Sequence, residues 1–357
     1  MMKARLNFAY GLRPRIRRRQ SKMLASSRQL FGEIRKYFCS HFHCQAADVR
    51  FAQNVTTHVA QIVSGIKKLH PKMQVFVDSH EVPWIKGSLE NGRLQMENMT
   101  RPNYAALQQR HFRPTEVSVF NPNELLRNLS RFVSTDKPAV IVLSHVSRLS
   151  GQIFPIQEIY SKMKAISPNS VLVVDGAQAA GAMKVDARNS GDAYITVTSK
   201  FLDAQPNIAM AYLSPELRSK YLADYPQIGA NKFLAEAHSA VQSISHPAFR
   251  EDFTQRIRNT RQFALEKLKG VKGISIKEFR NQAPQIITVK VGGRARTMQL
   301  VEELAKHGVE VFHNMGFSIS EPREPLLRIS IGAKTSRTEI EKFVKELRAV
   351  LRHRTRN

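Results

Sequence analysis

The chain has 357 residues, enough for two domains sharing an interface or one large α/β domain with an extension. Its 42% hydrophobic and 24% charged residues exclude a disordered chain, and no apolar run approaches the roughly 20 residues of a membrane-spanning helix. Lys and Arg total 55 against 29 Asp and Glu, a net charge of +26 that is high for a metabolic enzyme and raises a polyanionic partner.

The basic residues are spread along most of the chain, with one dense block, R-P-R-I-R-R-R at 13 to 19. No Cys/His finger spacing, RNP-like aromatic motif or bZIP heptad accompanies them. Nucleic acid is therefore the lesser reading beside a basic solvated surface. The first 32 residues are Arg-rich and acid-free, as in a transit peptide. Cys39 and Cys44 are too few for a disulfide framework and have no metal-site pattern around them. We expect a reducing compartment, the cytoplasm, with an organelle as the alternative, and no membrane and no metal.

Next come four β-rich apolar runs, at 73–78, 139–146, 170–175 and 193–198. Each lacks polar alternation, as strands buried on both faces do. Helical patterns separate them. N-P-N-E-L-L-R-N-L-S-R-F-V starts with Asn121 as N-cap and Pro122 at the first helical position, and P-I-Q-E-I-Y-S-K-M-K-A-I follows at 155–166. Alternating strands and helices predict a mainly parallel sheet covered on both faces.

After about residue 245 the pattern changes. A long amphipathic helix at 249–268 precedes short strands, Q-I-I-T-V-K-V, V-E-V-F and L-L-R-I-S-I. A final helix opens with Ser336 and Glu339 spaced as a capping box. This part predicts a smaller α+β domain. There are no internal repeats.

In an open parallel sheet, ligands bind at the carboxyl ends of the strands. That rim would carry His145, Asp175 at the end of V-L-V-V-D, and Lys200 in T-S-K-F-L-D-A-Q-P. A lysine and an aspartate facing one pocket suit a Schiff base to an aldehyde cofactor, with the acid keeping the cofactor's ring nitrogen protonated.

Three stretches carry a resemblance: S-H-V-S-R-L-S-G (144–151), V-D-G-A-Q-A-A-G (174–181) and D-A-Y-I-T-V-T-S-K (192–200). Together they resemble the class V aminotransferase and cysteine desulfurase superfamily of fold type I pyridoxal-phosphate enzymes. F-A-Q-N-V-T-T-H-V-A (51–60) is similar to the family's phosphate turn, and L-L-R-I-S-I-G with its capped helix to the family's C-terminal end.

The resemblance implies a pyridoxal 5'-phosphate cofactor and a large domain, 21–245, with a mainly parallel sheet of seven-stranded type. It also implies a small α+β domain, 246–357, and an N-terminal segment, 1–20, folding back to the active site through N-F-A-Y-G. Lys200 would carry the cofactor and shuttle the Cα proton. Asp175 would meet the pyridinium, Gln178 the phenolic oxygen, and Val55 and Thr56 the phosphate at a helix start, with Thr198 also at the cofactor. His80 would stack on the ring, with Trp84 a rival for that face. Arg328 would hold the substrate carboxylate with a bidentate fork. Each has an ordinary alternative: a solvated lysine, a capping acid, a surface glutamine, an N-cap, a salt-bridged arginine. The family's site is completed across a dimer, so a homodimer is expected.

Several positions depart from the family pattern. Ser199 replaces the common His before the lysine, Arg148 falls where many members have Asn, and the P-x-G turn lacks its glycine. K-F-L-D-A-Q-P is similar to the K-Y-L-N-x-x-P of kynureninase-like members. N-M-G-F-S-I-S-E-P-R-E-P contains no cysteine, which argues against desulfuration through an enzyme persulfide. The resulting expectation is an enzyme acting on an α-amino acid or a close analogue, first an aminotransferase, then a kynureninase or C–S type lyase, or an epimerase. The alternative of another class is a non-catalytic polyanion-binding protein on the same fold, signalled by binding that falls steeply with salt.

Overall fold

The apolar runs form the strands of one sheet because each presents Val, Ile and Leu to helices on both of its faces. The computed structural model describes residues 28–78, 117–120, 125–148, 150–223, 234–249, 253–309, 311–313 and 325–353. A helix over residues 28–42 (α1) leads to β1 Val49–Ala52, α2 Val55–Leu69, β2 Gln74–Asp78, β3 Val117–Phe120 and β4 Ala139–Ser144. Then follow α3 Ile156–Ile166, β5 Val171–Asp175, β6 Ala193–Val197, the one-turn α4 Thr198–Phe201, β7 Ala209–Leu213 and α5 Pro215–Tyr221.

These strands build a seven-stranded sheet in the order β1-β7-β6-β5-β4-β2-β3. The pairs β2–β3, β2–β4, β4–β5 and β5–β6 are parallel. Strand β7 is antiparallel to β6, and β1 to β7. Two reversals leave β1 running in the direction of β6, so the turn after β1 emerges on the same rim as the carboxyl ends of β4, β5 and β6.

Two apolar clusters line the faces of the sheet. One joins Val59, Ile62 and Ile66 of α2 to Val173, Ile195 and Ala211. The other runs from Ile34 and Phe38 of α1 through Leu143, Leu172 and Tyr194 to the C-terminal helices. In α3 the buried residues Ile156, Ile159 and Met163 recur at helical spacing and turn one stripe inward.

The C-terminal part contains α6 Leu234–Ser245, α7 Phe253–Leu268, β8 Ser275–Lys277, β9 Ile286–Lys290, α8 Arg294–Lys306, β10 Phe312–His313, β11 Leu327–Ser330 and α9 Arg337–His353. Its four strands pair antiparallel in the order β10-β11-β9-β8. The expected capping box is present: Ser336 N donates to Glu339 Oε2 at 2.7 Å, and Glu339 N to Ser336 Oγ at 3.2 Å. The two sheets are tied together by Ala283 N on Gly151 O (2.7 Å) and Ile153 N on Asn281 O (2.8 Å).

Two expectations need correction. The helix predicted from Asn121 reaches Leu125 but is not continued over 126–133, where turns and a 3-10 helix at Leu129–Arg131 stand instead. Pro138 and the bends at 135–137 follow at once, so the chain turns into β4 before a longer helix can form. The strand predicted at 309–312 begins only at Phe312. Asn121 and Pro122 lie outside the described residues, as do the segment 1–20, His80 and Trp84. Among the described residues, no helix is long and apolar enough to cross a membrane.

Candidate active site

Asp175 is the last residue of β5, and the β5–β6 register sets it opposite Ile195, a few residues before Lys200 in α4. The parallel register also pairs it with Ser144, so His145 follows directly beside it and donates its N–H to Asp175 O at 2.9 Å. The carboxylate is held by its own turn: Ala177 N donates to Asp175 Oδ1 at 2.8 Å.

The glycines of D-G-A-Q-A-A-G now have physical reasons. A Cβ on Gly176 would stand 2.2 Å from the Tyr194 ring, and Gly181 has φ +81, which only glycine adopts readily. Fully buried Tyr194 points its hydroxyl at His145 Nδ1, 2.9 Å away. Burial, then the charge of Asp175, pushes the Tyr194 phenol well up. Burial pulls His145 down to about 4, so its imidazole is neutral at pH 7.

Lys200 is in the single turn that leaves β6. Thr198 locks that turn: its N–H donates to Ile208 O at 2.9 Å, and its Oγ1 accepts from Ile208 N at 2.9 Å. The Thr198 side chain is thus buried and committed to closing the loop. The same loop reaches across the rim, where Asn207 Nδ2 lies 3.5 Å from Gln53 O. That contact sets it beside the start of α2. There Asn54 is the N-cap, accepting from Thr57 N at 2.8 Å and Thr57 Oγ1 at 3.0 Å. Thr56 is therefore not the cap. Val55 and Thr56 occupy the first turn, where backbone N–H groups have no intrahelical acceptor.

Arg328 comes from the second sheet, in β11. Its Nη1 donates to Arg148 O at 2.8 Å, within the turn that Gly151 N closes on Ser147 O. Both arginines are buried. Burial, then the charge of Arg148, lowers the Arg328 guanidinium to about 10. Burial first, then Arg328 and Arg148, lower the Lys200 amine, with Asp203 opposing. Lys200 nonetheless opens on a cleft of about 250 Å³, lined also by Gln178, Asp203, Gln285 and Ser330. Solvent in that cleft offsets part of the burial effect. The Gln178 carbonyl accepts from Gln285 Nε2.

The structure therefore brings Asp175, Lys200, Thr198, Gln178 and Arg328 to one rim, with Val55 and Thr56 at its edge. Sequence reasoning missed Tyr194 and Gln285. Tyr194 had a signal, a hydroxyl within an otherwise apolar run; Gln285 had none, because its partner is distant in sequence.

Residues 104–221 match the Aminotransferase class-V family. A probable cysteine desulfurase of Mycoplasma genitalium is 21% identical over 197 residues, 54% of this chain and 43% of that protein. The match thus spans less than half of that relative's length. Among solved structures, the complex of the cystine C–S lyase C-DES with its product cysteine persulfide has a TM-score of 0.68 at 16% identity, covering 91% of this chain and 87% of that one. A NifS-like protein from Rickettsia africae scores 0.65 at 14%, covering 92% and 89%. The cysteine desulfurase CsdA from Escherichia coli scores 0.66 at 12%, covering 92% and 85%. The family match covers the segment holding all three motifs, and the fold is shared, so the resemblance read from those motifs is borne out.

Proposed function

We propose that this chain, similar in sequence and fold to the class V aminotransferases and cysteine desulfurases, is a pyridoxal-phosphate enzyme acting on an α-amino acid. We further propose that it works as a C–S type lyase. The observation that carries the reading is the pairing of Asp175 and Lys200 at the carboxyl ends of adjacent parallel strands. Pyridoxal phosphate fits this rim by its donor chemistry: a carboxylate for a ring nitrogen, an amine for an aldehyde, and a helix start for a phosphate. When bound, the cofactor supplies an electron sink for bonds at the substrate's Cα.

The chain's own residues do the rest. Asp175, fixed by Ala177 N–H, would set its carboxylate at the ring nitrogen. Lys200, its pKa lowered by burial and two arginines, is the amine that holds the cofactor and moves the proton at Cα. Arg328 would bind the substrate carboxylate, Gln178 would meet the phenolic oxygen, and the amides of Val55 and Thr56 would hold the phosphate.

The lyase reading, favoured over transamination, has two supports. The structural neighbour C-DES is a cystine C–S lyase. In addition, the chain's two cysteines, Cys39 and Cys44, precede β1 at the opposite end of the sheet from Lys200. A sulfur leaving group would then depart on the product instead of on an enzyme thiol. The chain would work in the cytoplasm as a homodimer.

The test is the visible spectrum of the purified protein and of Lys200→Ala, with added pyridoxal phosphate, before and after borohydride. A band that borohydride fixes to Lys200 is expected. A protein that stays colourless overturns the reading. Cystine and cysteine are then supplied: pyruvate and ammonia without an added 2-oxo acid indicate the lyase, whereas turnover only with a 2-oxo acid indicates an aminotransferase.

A further inference from the structure

The end of α1 holds a second chemical group, at the opposite end of the sheet from Lys200. The helix over 28–42 terminates at His43, whose φ is +51, and Cys44 N then donates back to Cys39 O at 3.3 Å. That is the Schellman closure, in which the residue two past the cap reaches the third carbonyl from the end. The motif brings the side chains of those two positions together. Here both are cysteines, and Cys44 Sγ–H donates to Cys39 Sγ at 3.5 Å.

We propose that Cys39 and Cys44 form a redox-active dithiol site that reduces low-molecular-weight disulfides and becomes an intramolecular disulfide. This goes beyond the cofactor chemistry and does not depend on it. Three observations support it. A disulfide needs two cysteines held side by side, and here a backbone hydrogen bond joins the two residues while their sulfurs lie 3.5 Å apart. Both cysteines are half-buried, and they are the only two in the sequence.

The roles of the two sulfurs differ. The hydrogen bond from Cys44, then the charge of Arg35 one turn earlier, favours the Cys39 thiolate against burial and Asp48. The same bond, with burial, pushes the Cys44 thiol far up. Cys39 is therefore the attacking sulfur and Cys44 the resolving one.

The step balances. Cys39 thiolate attacks one sulfur of a disulfide RSSR, forming a mixed disulfide and releasing RS⁻, which takes up the Cys39 proton. Cys44, losing its proton, attacks Cys39 Sγ and expels the second RS⁻, which takes up that proton. The dithiol is oxidised to one disulfide and RSSR is reduced to two RSH.

The test uses the reduced full chain, oxidised glutathione as probe, and intact mass with maleimide labelling. The wild type is expected to lose two hydrogen masses and both reactive thiols, reversibly with dithiothreitol. Cys44→Ser, or Cys44→Ala should that fold better, is expected to stop as a stable glutathionyl adduct on Cys39. Cys39→Ser is expected to react about tenfold more slowly than wild type. A wild type that keeps both thiols, accumulates glutathionyl adducts or forms only intermolecular dimers overturns the proposal.

Discussion

Tyr194 and His145 meet hydroxyl to Nδ1 at 2.9 Å beneath the turn that carries Asp175. The tyrosine ring fills the space that a side chain on residue 176 would need. Gly176→Ala must therefore push the ring away and break the contact with His145. We expect a loss of about 1–3 kcal/mol, read as a lower denaturant midpoint with unchanged slope. A midpoint equal to wild type would show that the ring yields freely.

His145 and His58 are both buried, and burial lowers them to about 4 and about 3. Their unfolded pKa is near 6.5, so below that pH the unfolded chain binds protons that the folded chain refuses. Stability is then present above about pH 6.5 and is lost as the pH falls toward 4, by as much as about 1.4 kcal/mol per pH unit for each histidine. Urea unfolding across pH 4–7 measures the slope. His145→Phe should flatten it between about pH 6.5 and 4, and an unchanged slope would assign the effect to other groups.

Asp175 is the one acid proposed to meet the cofactor's ring nitrogen. Asp175→Asn keeps the acceptor for Ala177 N–H but removes the charge. Cofactor affinity is expected to fall at least about tenfold, or about 1.4 kcal/mol, in an absorbance titration, with the melting temperature of the cofactor-free protein little changed. Equal affinity would remove Asp175 from the site.

Arg148 and Arg328 both act on Lys200 as like charges. Removing one, as in Arg148→Gln, should raise the lysine's pKa, so that its neutral, reactive form appears only at higher pH. The pH profile of pyridoxal-phosphate attachment to Lys200 should move upward, and Arg148→Lys should restore it. A profile that ignores position 148 would mean that Arg148 is too well screened to matter.

The core strands of the large sheet were legible because burial on both faces leaves a continuous apolar run, and Asp175 and Lys200 stood out as charges at the ends of such runs. Strands β1 and β7 were not. V-R-F-A and A-M-A-Y-L carry no strand pattern of their own, and pairing makes them strands, β7 on β6 and β1 on β7. Arg148 was noticed as a departure, but its carbonyl contact with Arg328 joins two sheets and cannot be read from spacing. Thr198 is expected at the cofactor, and the additional bond its hydroxyl oxygen accepts from Ile208 N, which closes the loop, cannot be read from spacing.

The antiparallel pairing of β1 with β7 has a consequence for synthesis. A chain released only as far as Lys200 already contains the proposed phosphate turn, acid and amine, but has no β7 on which to dock β1. Until the ribosome has delivered Ala209–Leu213, the first turn of α2 has no fixed address. The proposed cofactor pocket can therefore first exist only once β7 has followed Lys200, and it is completed only with Arg328 of β11.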